Sequence, residues 1–138
     1  MLNNIFYLNE QGKRKNLEDN IFPRPGNATL KDKLFIVCDG VGGLNKGEEA
    51  SRIACEAISN NLKQYSKKEI SIIEIGKAVE YSITEMQAYA SVNPIAEHMS
   101  TTLTLAYLQA NGVWVAWCGD SRIYHIRNGN ILWQSKIQ

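Results

Sequence analysis

The sequence has 138 residues, of which 44% are hydrophobic and 21% are charged, and its formal net charge is +1. This length allows one domain with a real hydrophobic core, and the balanced charge argues against a nucleic-acid partner held mainly by electrostatics. The three cysteines, Cys38, Cys55 and Cys118, are widely spaced and form no CxxC motif. That pattern predicts neither a disulfide framework nor a zinc site. A reducing, cytoplasmic setting is expected, without a membrane partner, since no apolar run is long enough to span a bilayer.

The first third of the chain is predicted to contain short strands separated by polar loops. Residues 5–10 (IFYLNE) are predicted to form a strand, and NIF at 20–22 starts another. A loop with two prolines and a glycine follows at 23–32. Residues 33–39 (KLFIVCD) are an apolar run of strand length, enriched in β-branched and aromatic residues.

Two helices and a run of strands are predicted for the rest. Apolar residues recur at helical spacing in two segments after Gly47. The first stripe comprises Ala50, Ile53, Ala54, Ala57, Ile58 and Leu62, and the second comprises Ile72, Ile75, Ala78, Val79, Ile83 and Met86. Strands are predicted at 101–109, 112–120 and 122–129, with a tight turn at 128–130 leading into ILWQS. Because the joins are of hairpin length, the strands are predicted to form an antiparallel meander, which indicates the α+β class.

Acidic residues stand at the ends of three predicted strands. Asp39 ends the strand 33–39 and is followed by Gly40 in the sequence DGVGG. Glu18 and Asp19 stand at the start of a second strand, and Asp120 follows a third in the sequence GDSR. A strand holds a terminal carboxylate rigidly, while glycines let the backbone turn sharply and leave room for an ion or a phosphate.

Three such carboxylates would suit a hard divalent cation if they converged on one site. Mg²⁺ and Mn²⁺ prefer carboxylate, carbonyl and water oxygens. Arg14, five residues before Asp19, would add a planar cation suited to a phosphate. Each piece also has an ordinary structural explanation: an Asp-Gly turn, a strand cap, a turn with a surface salt bridge and a solvated loop arginine.

Four blocks, in this order, resemble the metal-dependent Ser/Thr protein phosphatases of bacterial type, also called the protein phosphatase 2C family. They are RKNLED at 14–19, DGVGG at 39–43 with GEEAS at 47–51, STTLTLAYL at 100–108 and WCGDSRIYHIRNG at 117–129. They resemble the family's Arg-x-x-x-Glu-Asp block, its Asp-Gly-Met-Gly-Gly and Gly-Glu-x-Ala-Ser blocks, its Gly-Thr-Thr strand and its Gly-Asp-Ser-Arg hairpin.

The resemblance implies two packed antiparallel sheets with helices on both outer faces, in α-β-β-α layers. It also implies hydrolysis of phosphoserine and phosphothreonine in protein substrates by a water held between two Mn²⁺ or Mg²⁺ ions. Under this resemblance Asp39 bridges both ions and Gly40 offers its backbone carbonyl to one of them. Glu18 and Asp19 hold metal-bound waters.

Two further roles follow from the same resemblance. Arg14 would bind the substrate phosphate, and Asp120 would be a ligand of a weaker third ion. Val41 stands where some eukaryotic members have a histidine that is proposed as general acid, so no candidate for that role is expected here.

The resemblance covers residues 1–138 as one domain, but only the amino-terminal part of the family's domain. The family's second half supplies two more metal aspartates, in Asp-Gly and Asp-Asn blocks, and neither block follows Asp120. The fold is therefore expected to be incomplete at the carboxy terminus, and the chain alone to be weakly active or inactive. A dimer or a partner chain would complete the fold. The alternatives are a non-catalytic, phosphatase-like module that binds phosphoproteins or a partner subunit, and a remnant of the family's domain without activity.

Overall fold

Helices and antiparallel strands occupy separate stretches of the chain. A computed structural model describes residues 2–13, 15–41 and 46–138. The strands are β1 (Asp19–Phe22), β2 (Leu34–Asp39), β3 (Leu103–Gln109), β4 (Gly112–Cys118), β5 (Tyr124–Arg127) and β6 (Asn130–Gln134). The helices are α1 (Gly47–Lys63) and α2 (Ile72–Val92), followed by a short 3₁₀ helix at Pro94–Ala96. The predicted α+β class is confirmed.

Strands β1 to β4 form one antiparallel sheet in the order β1-β2-β3-β4. In strand β2, Ile36 and Cys38 are buried, whereas the intervening Val37 is 42% exposed. Because side chains alternate between the faces of a strand, one face of the sheet lies against the core. Asp39 lies on the opposite face, together with Val37.

Both helices contribute to the core on that first face. The buried cluster contains Leu34, Ile36, Cys38, Leu103, Leu105 and Tyr107 from the sheet, with Ala54, Cys55, Ile58, Leu62, Ile75 and Ala78 from the helices. Helix α2 begins at a capping box, in which the Ser71 hydroxyl accepts from the Ile73 N–H and the Glu74 carboxylate accepts from the Ser71 N–H. Two members of the second predicted stripe, Ile72 and Ile83, are half exposed, so α2 buries a narrower face than its pattern predicts.

The strand predicted at residues 5–10 does not form. This segment pairs with none of the described strands, and Phe6, Tyr7 and Leu8 are exposed by 89%, 54% and 77%. An apolar, β-prone sequence becomes a strand only where a neighbouring strand offers hydrogen bonds, and no described strand does so here.

The predicted meander is interrupted after β4. Strands β3 and β4 pair along their length, but β5 and β6 form a separate two-stranded sheet. The predicted hairpin at GDS is therefore wrong. Gly119 turns the chain with φ +93°, and its carbonyl accepts from the N–H of Gln138, while the Ile123 carbonyl accepts from the N–H of Ser135. The segment after β4 thus pairs with the end of the chain rather than with β4.

The outer face of the four-stranded sheet is apolar and only partly covered. Val37 and Val113 are 42% and 56% exposed. The hairpin β5–β6 contacts β4 through the rings of Trp117 and Trp133, whose centroids lie 5.5 Å apart at 72°. Within the described ranges, neither helix combines the length and the hydropathy that a membrane span requires.

Candidate functional site

Two aspartates face each other across the first two strands. Asp19 of β1 and Asp39 of β2 are register partners, and both are half buried. The N–H of Gly40 donates to the carbonyl of Glu18 at 3.1 Å. This bond makes Asp19 and Asp39 a non-hydrogen-bonded pair, the class in which opposed side chains approach most closely. Like charges at directly opposed positions destabilise a sheet, and a cation at this position would offset that repulsion.

The pair lies in a groove of about 230 Å³ at the edge of the sheet. The residues that line it are Glu10, Gln11, Asn16, Leu17, Glu18, Asp19 and Asp39. Three of its four carboxylates were predicted as site residues. Glu10 was missed, because the strand predicted for residues 5–10 gave it no role at the site.

A close crossing of two backbones fixes the end of β2 against the start of α1. A Cβ atom on Gly40 would collide with the carbonyl oxygen of Gly47 and would lie 2.8 Å from the carbonyl oxygen of Glu18. A Cβ atom on Gly47 would lie 2.5 Å from the carbonyl oxygen of Val41. Real Cβ atoms do not approach backbone atoms this closely, so both positions require glycine. Gly42 and Gly43 of the same block lie outside the described residues.

Thr102, the residue before β3, holds the backbone of Asp39. Its N–H donates to the Asp39 carbonyl at 2.8 Å, and its hydroxyl oxygen accepts from the Asp39 N–H at 3.0 Å. The same hydroxyl lies 2.8 Å from the hydroxyl of Ser121. The turn that carries Asp120 is thereby tied to the strand end that carries Asp39. Thr102 belongs to the Thr-Thr block, but the sequence pattern did not predict a role for either threonine.

Ser51 holds the other side of the site. This side chain is fully buried in the first half of α1. Its hydroxyl donates to the carbonyl of Glu18 at 2.5 Å and accepts from the Asn20 amide at 2.7 Å. Two residues that flank Asp19 are thus anchored to α1, which orients the start of β1. Ser51 belongs to the GEEAS block, but the sequence alone did not single it out.

The predicted residues therefore differ in how the structure places them. Glu18, Asp19 and Asp39 line one groove, and Gly40 adjoins it. Asp120 is exposed and is not among the groove's lining residues, but its neighbour Ser121 contacts Thr102, which holds Asp39. Arg14, the predicted phosphate ligand, lies outside the described residues.

The donors fit a hard divalent cation in kind but not in arrangement. The groove offers carboxylate and carbonyl oxygens without histidine or cysteine, the donor set that Mg²⁺ and Mn²⁺ prefer. However, the described ranges contain no group of three His, Cys, Asp or Glu residues arranged to hold a metal ion. No aspartate or glutamate follows Asp120 in these 138 residues.

The two buried cysteines near the site are unsuited to chemistry. Cys38 precedes Asp39 and is fully buried, and Cys55 of α1 is 5% exposed. The pKa of the Cys55 thiol is raised far above its ordinary value. The main cause is a hydrogen bond with Cys38, and the second is burial. A thiol held neutral in this way is neither a nucleophile nor a metal ligand.

Most of the chain is similar to known proteins. The family model described as "Protein phosphatase 2C" matches residues 15–135. A putative protein phosphatase of Mycoplasma pneumoniae is 29% identical over 109 residues, which is 69% of this chain and 40% of that protein. The serine/threonine protein phosphatase PstP of Mycobacterium tuberculosis is 28% identical over 118 residues, which is 86% of this chain and 21% of that protein.

Solved structures show the same partial coverage. The crystal structure of the catalytic domain of serine/threonine protein phosphatase PstP, in complex with two manganese ions, superimposes with a TM-score of 0.69 and 29% identity. The match covers 86% of this chain and 48% of that one. The chain thus spans less than half the length of each of these three matched chains.

Proposed function

Because this chain belongs to the protein phosphatase 2C family, we propose that it forms the amino-terminal part of a metal-dependent phosphoserine and phosphothreonine phosphatase domain. The observation that supports this most is the pairing of Asp19 with Asp39 in an acidic groove, where the family's blocks meet. Two carboxylates at directly opposed positions of a sheet repel each other, and a bound cation would offset that repulsion.

The proposed cofactors are two Mn²⁺ or Mg²⁺ ions, with a weaker third beside Asp120. The PstP structure that resembles this chain contains two manganese ions. The oxygen donors that line the groove are of the kind that Mn²⁺ and Mg²⁺ prefer. In this proposal Asp39 and the carbonyl of Gly40 hold metal directly, while Glu18 and Asp19 hold it through water. When bound, such ions activate a water and neutralise the oxygens of a transferring phosphoryl group.

The chain's own residues would position these ligands. Thr102 fixes both backbone groups of Asp39, and Ser51 fixes the carbonyl of Glu18. At the crossing of Gly40 and Gly47 the backbones lie too close together for a side chain at either position. Such rigidity matters because a phosphatase must hold its charges in place for one of the slowest uncatalysed reactions.

The proposed substrate is a phosphorylated protein, bound through its phosphate by Arg14. A guanidinium presents two parallel donors to phosphate oxygens. The proposed setting is the cytoplasm, where the three unpaired cysteines stay reduced and where removal of phosphate from signalling proteins would be its task.

We further propose that these 138 residues alone are a poor catalyst and are completed by a second copy or a partner chain. Within the described ranges no group of three His, Cys, Asp or Glu residues is arranged to hold a metal ion. The outer face of the sheet also exposes apolar side chains such as Val37 and Val113, and an apolar patch of this kind usually marks an interface.

Phosphate release from a phosphothreonine peptide in the presence of Mn²⁺ tests the proposal. The chain alone should release little, whereas a version extended through the family's second half should turn over. In the extended protein Asp39→Asn should abolish turnover, and the matched control Glu97→Gln, at an exposed carboxylate outside the groove, should leave it unchanged. Arg14→Ala should mainly raise KM. Full activity of Asp39→Asn would rule out the proposed site.

The second candidate is a non-catalytic module that binds phosphoproteins or a partner subunit. This candidate agrees with the finding that the described ranges hold no group of three His, Cys, Asp or Glu residues arranged for a metal ion. The two candidates separate in the extended protein: if it folds and binds a phosphothreonine peptide but releases no phosphate with Mn²⁺ or Mg²⁺, the binding module is correct.

A further inference from the structure

A second cavity lies at the opposite end of the sheet from the acidic groove. It measures about 340 Å³ and lies where β2 begins and β3 ends. The residues that line it are Phe22, Lys31, Asp32, Lys33, Leu34, Ser59, Asn60, Leu62, Lys63, Ser66 and Tyr107. Its size falls at the lower end of the range of ligand pockets, roughly 300–1,000 Å³.

The lining combines a large apolar surface with lysines. Phe22, Leu34, Leu62 and Tyr107 contribute the apolar part and come from β1, β2, α1 and β3. Burial raises the pKa of the Tyr107 hydroxyl, so this group stays neutral and adds no negative charge to the cavity. The apolar part of the cavity can therefore accept one large apolar side chain.

Three lysines at this cavity come from two separate segments. Lys31 and Lys33 lie in the loop before β2, and Lys63 is the last residue of α1. The Lys33 ammonium donates to the carbonyl of Ser66 at 3.3 Å and so joins the two segments. One carboxylate, that of Asp32, also lines the cavity and accepts from the N–H of Thr29. The side chains that line the cavity therefore carry a net positive charge.

Helix electrostatics explains only one of these lysines. A cation in the last turn complements the negative end of a helix dipole, which accounts for Lys63. Lys33 is explained by its hydrogen bond to the Ser66 carbonyl, whereas neither a helix end nor that hydrogen bond accounts for Lys31 beside the cavity. The cavity is also distinct from the acidic groove, because the six residues of β2 separate Leu34 from Asp39 by about 16 Å.

We propose that this cavity binds an acidic peptide segment of a partner protein that inserts one large apolar side chain between the lysines. Charge complementarity selects the acidic flanks, and the apolar lining selects the inserted side chain. A concave cavity of this size accepts a single protruding side chain, whereas a flat bilayer surface would contact only the lysine tips. The proposal is independent of any phosphatase activity of the acidic groove.

Fluorescence anisotropy of the 138-residue chain with a designed probe tests the proposal. The probe is a short fluorescein-labelled peptide of acidic residues with one central phenylalanine. We expect saturable binding that weakens by about tenfold or more when the ionic strength rises from about 0.05 to 0.5 M. A probe with serine in place of phenylalanine should bind at least about tenfold more weakly, since the apolar contact is lost.

Three variants separate the cavity from general attraction to positive charge. Lys31→Glu combined with Lys63→Glu should weaken binding by about tenfold or more. Ser66→Trp should also weaken it, because the indole narrows the cavity without removing a buried side chain. The matched control is Lys77→Glu, at an exposed lysine of α2 that does not line the cavity, and it should leave binding unchanged. Circular dichroism should show that all three variants are folded.

Three outcomes would overturn the proposal. The serine probe could bind as tightly as the phenylalanine probe, which would mean that the apolar cavity is not used. The control Lys77→Glu could weaken binding as much as the double reversal, which would mean non-specific charge attraction. Finally, the chain could ignore the peptide and bind phosphatidylserine vesicles instead, which would make these lysines a membrane contact.

Discussion

Replacing Gly40 by alanine would place a methyl group where the end of β2 crosses the start of α1. Its Cβ would collide with the carbonyl oxygen of Gly47 and would lie 2.8 Å from the carbonyl oxygen of Glu18. Both obstacles are backbone atoms of packed elements, so neither can yield by a rotamer change. The alanine can be accommodated only if β2, β1 and α1 move apart.

The expected cost can be set against a control in the same chain. Overpacking typically costs about 1–3 kcal/mol, and we expect Gly40→Ala to reach about 3 kcal/mol because the clash is with backbone on two sides. Gly76 lies inside α2, and a Cβ atom there meets nothing within 4 Å. Gly76→Ala should therefore stabilise the chain by about 0.5–1 kcal/mol through helix propensity.

Thermal and urea unfolding followed by circular dichroism measure both effects. For a chain of this size 1 kcal/mol corresponds to about 3–4 °C. Tm should therefore fall by about 10 °C in Gly40→Ala and rise by about 2–4 °C in Gly76→Ala. If Gly40→Ala were as stable as the parent chain, β2 and α1 would not cross as described, and the account of how the groove is held would fail.

Three further predictions concern the Thr102 hydrogen bond, the Ser71 helix cap and the accessibility of the cysteines. Thr102→Val should cost about 1–3 kcal/mol in urea unfolding because the Asp39 N–H loses its acceptor, whereas Thr102→Ser should retain most of the stability; equal loss in both would point to the methyl group instead. Ser71→Ala should cost about 1 kcal/mol through the lost helix cap. Hydrogen bonds from Ser71 lower the pKa of Glu74. The contribution of Glu74 to the cap is therefore present above the ordinary pKa of a glutamate and is lost as the pH falls through the lowered pKa. If stability in acid changed with pH in the same way with and without Ser71, this explanation would be contradicted. Iodoacetamide should label the native chain once, at the exposed Cys118, and label the two buried cysteines only after denaturation; intact-mass spectrometry counts the adducts, and rapid triple labelling would contradict the described core.

The sequence predicted the elements whose partners are local or whose pattern is strong. The helical spacing of apolar residues located α1 and α2, and the apolar run before Asp39 located β2. It failed where the outcome depended on a distant partner. Residues 5–10 have the composition of a strand but pair with none of the strands in the described part of the chain. The join after β4 has hairpin length but turns at Gly119 toward the end of the chain.

The candidate site was predicted in part for the same reason. The acidic strand ends were visible in the sequence, and two of them are register partners. Their supports were not visible, because Ser51 and Thr102 act through hydrogen bonds between segments far apart in the chain. The glycine after Asp39 was interpreted as leaving room for an ion, yet the structure requires it for the approach of Gly47. A spacing pattern cannot reveal a contact between two backbones.

Paramagnetic broadening by Mn²⁺ tests the central claim most directly, because it detects weak binding without requiring catalysis. In a ¹⁵N-labelled sample, small additions of Mn²⁺ should broaden the amide signals of Glu18, Asp19, Asp39 and Gly40 before any others, and Asp39→Asn should greatly reduce this effect. If the first signals to broaden belonged to other acidic surfaces, such as the Glu49 and Glu56 face of α1, or if Asp39→Asn changed nothing, the acidic groove would not be a metal site and the proposed function would be wrong.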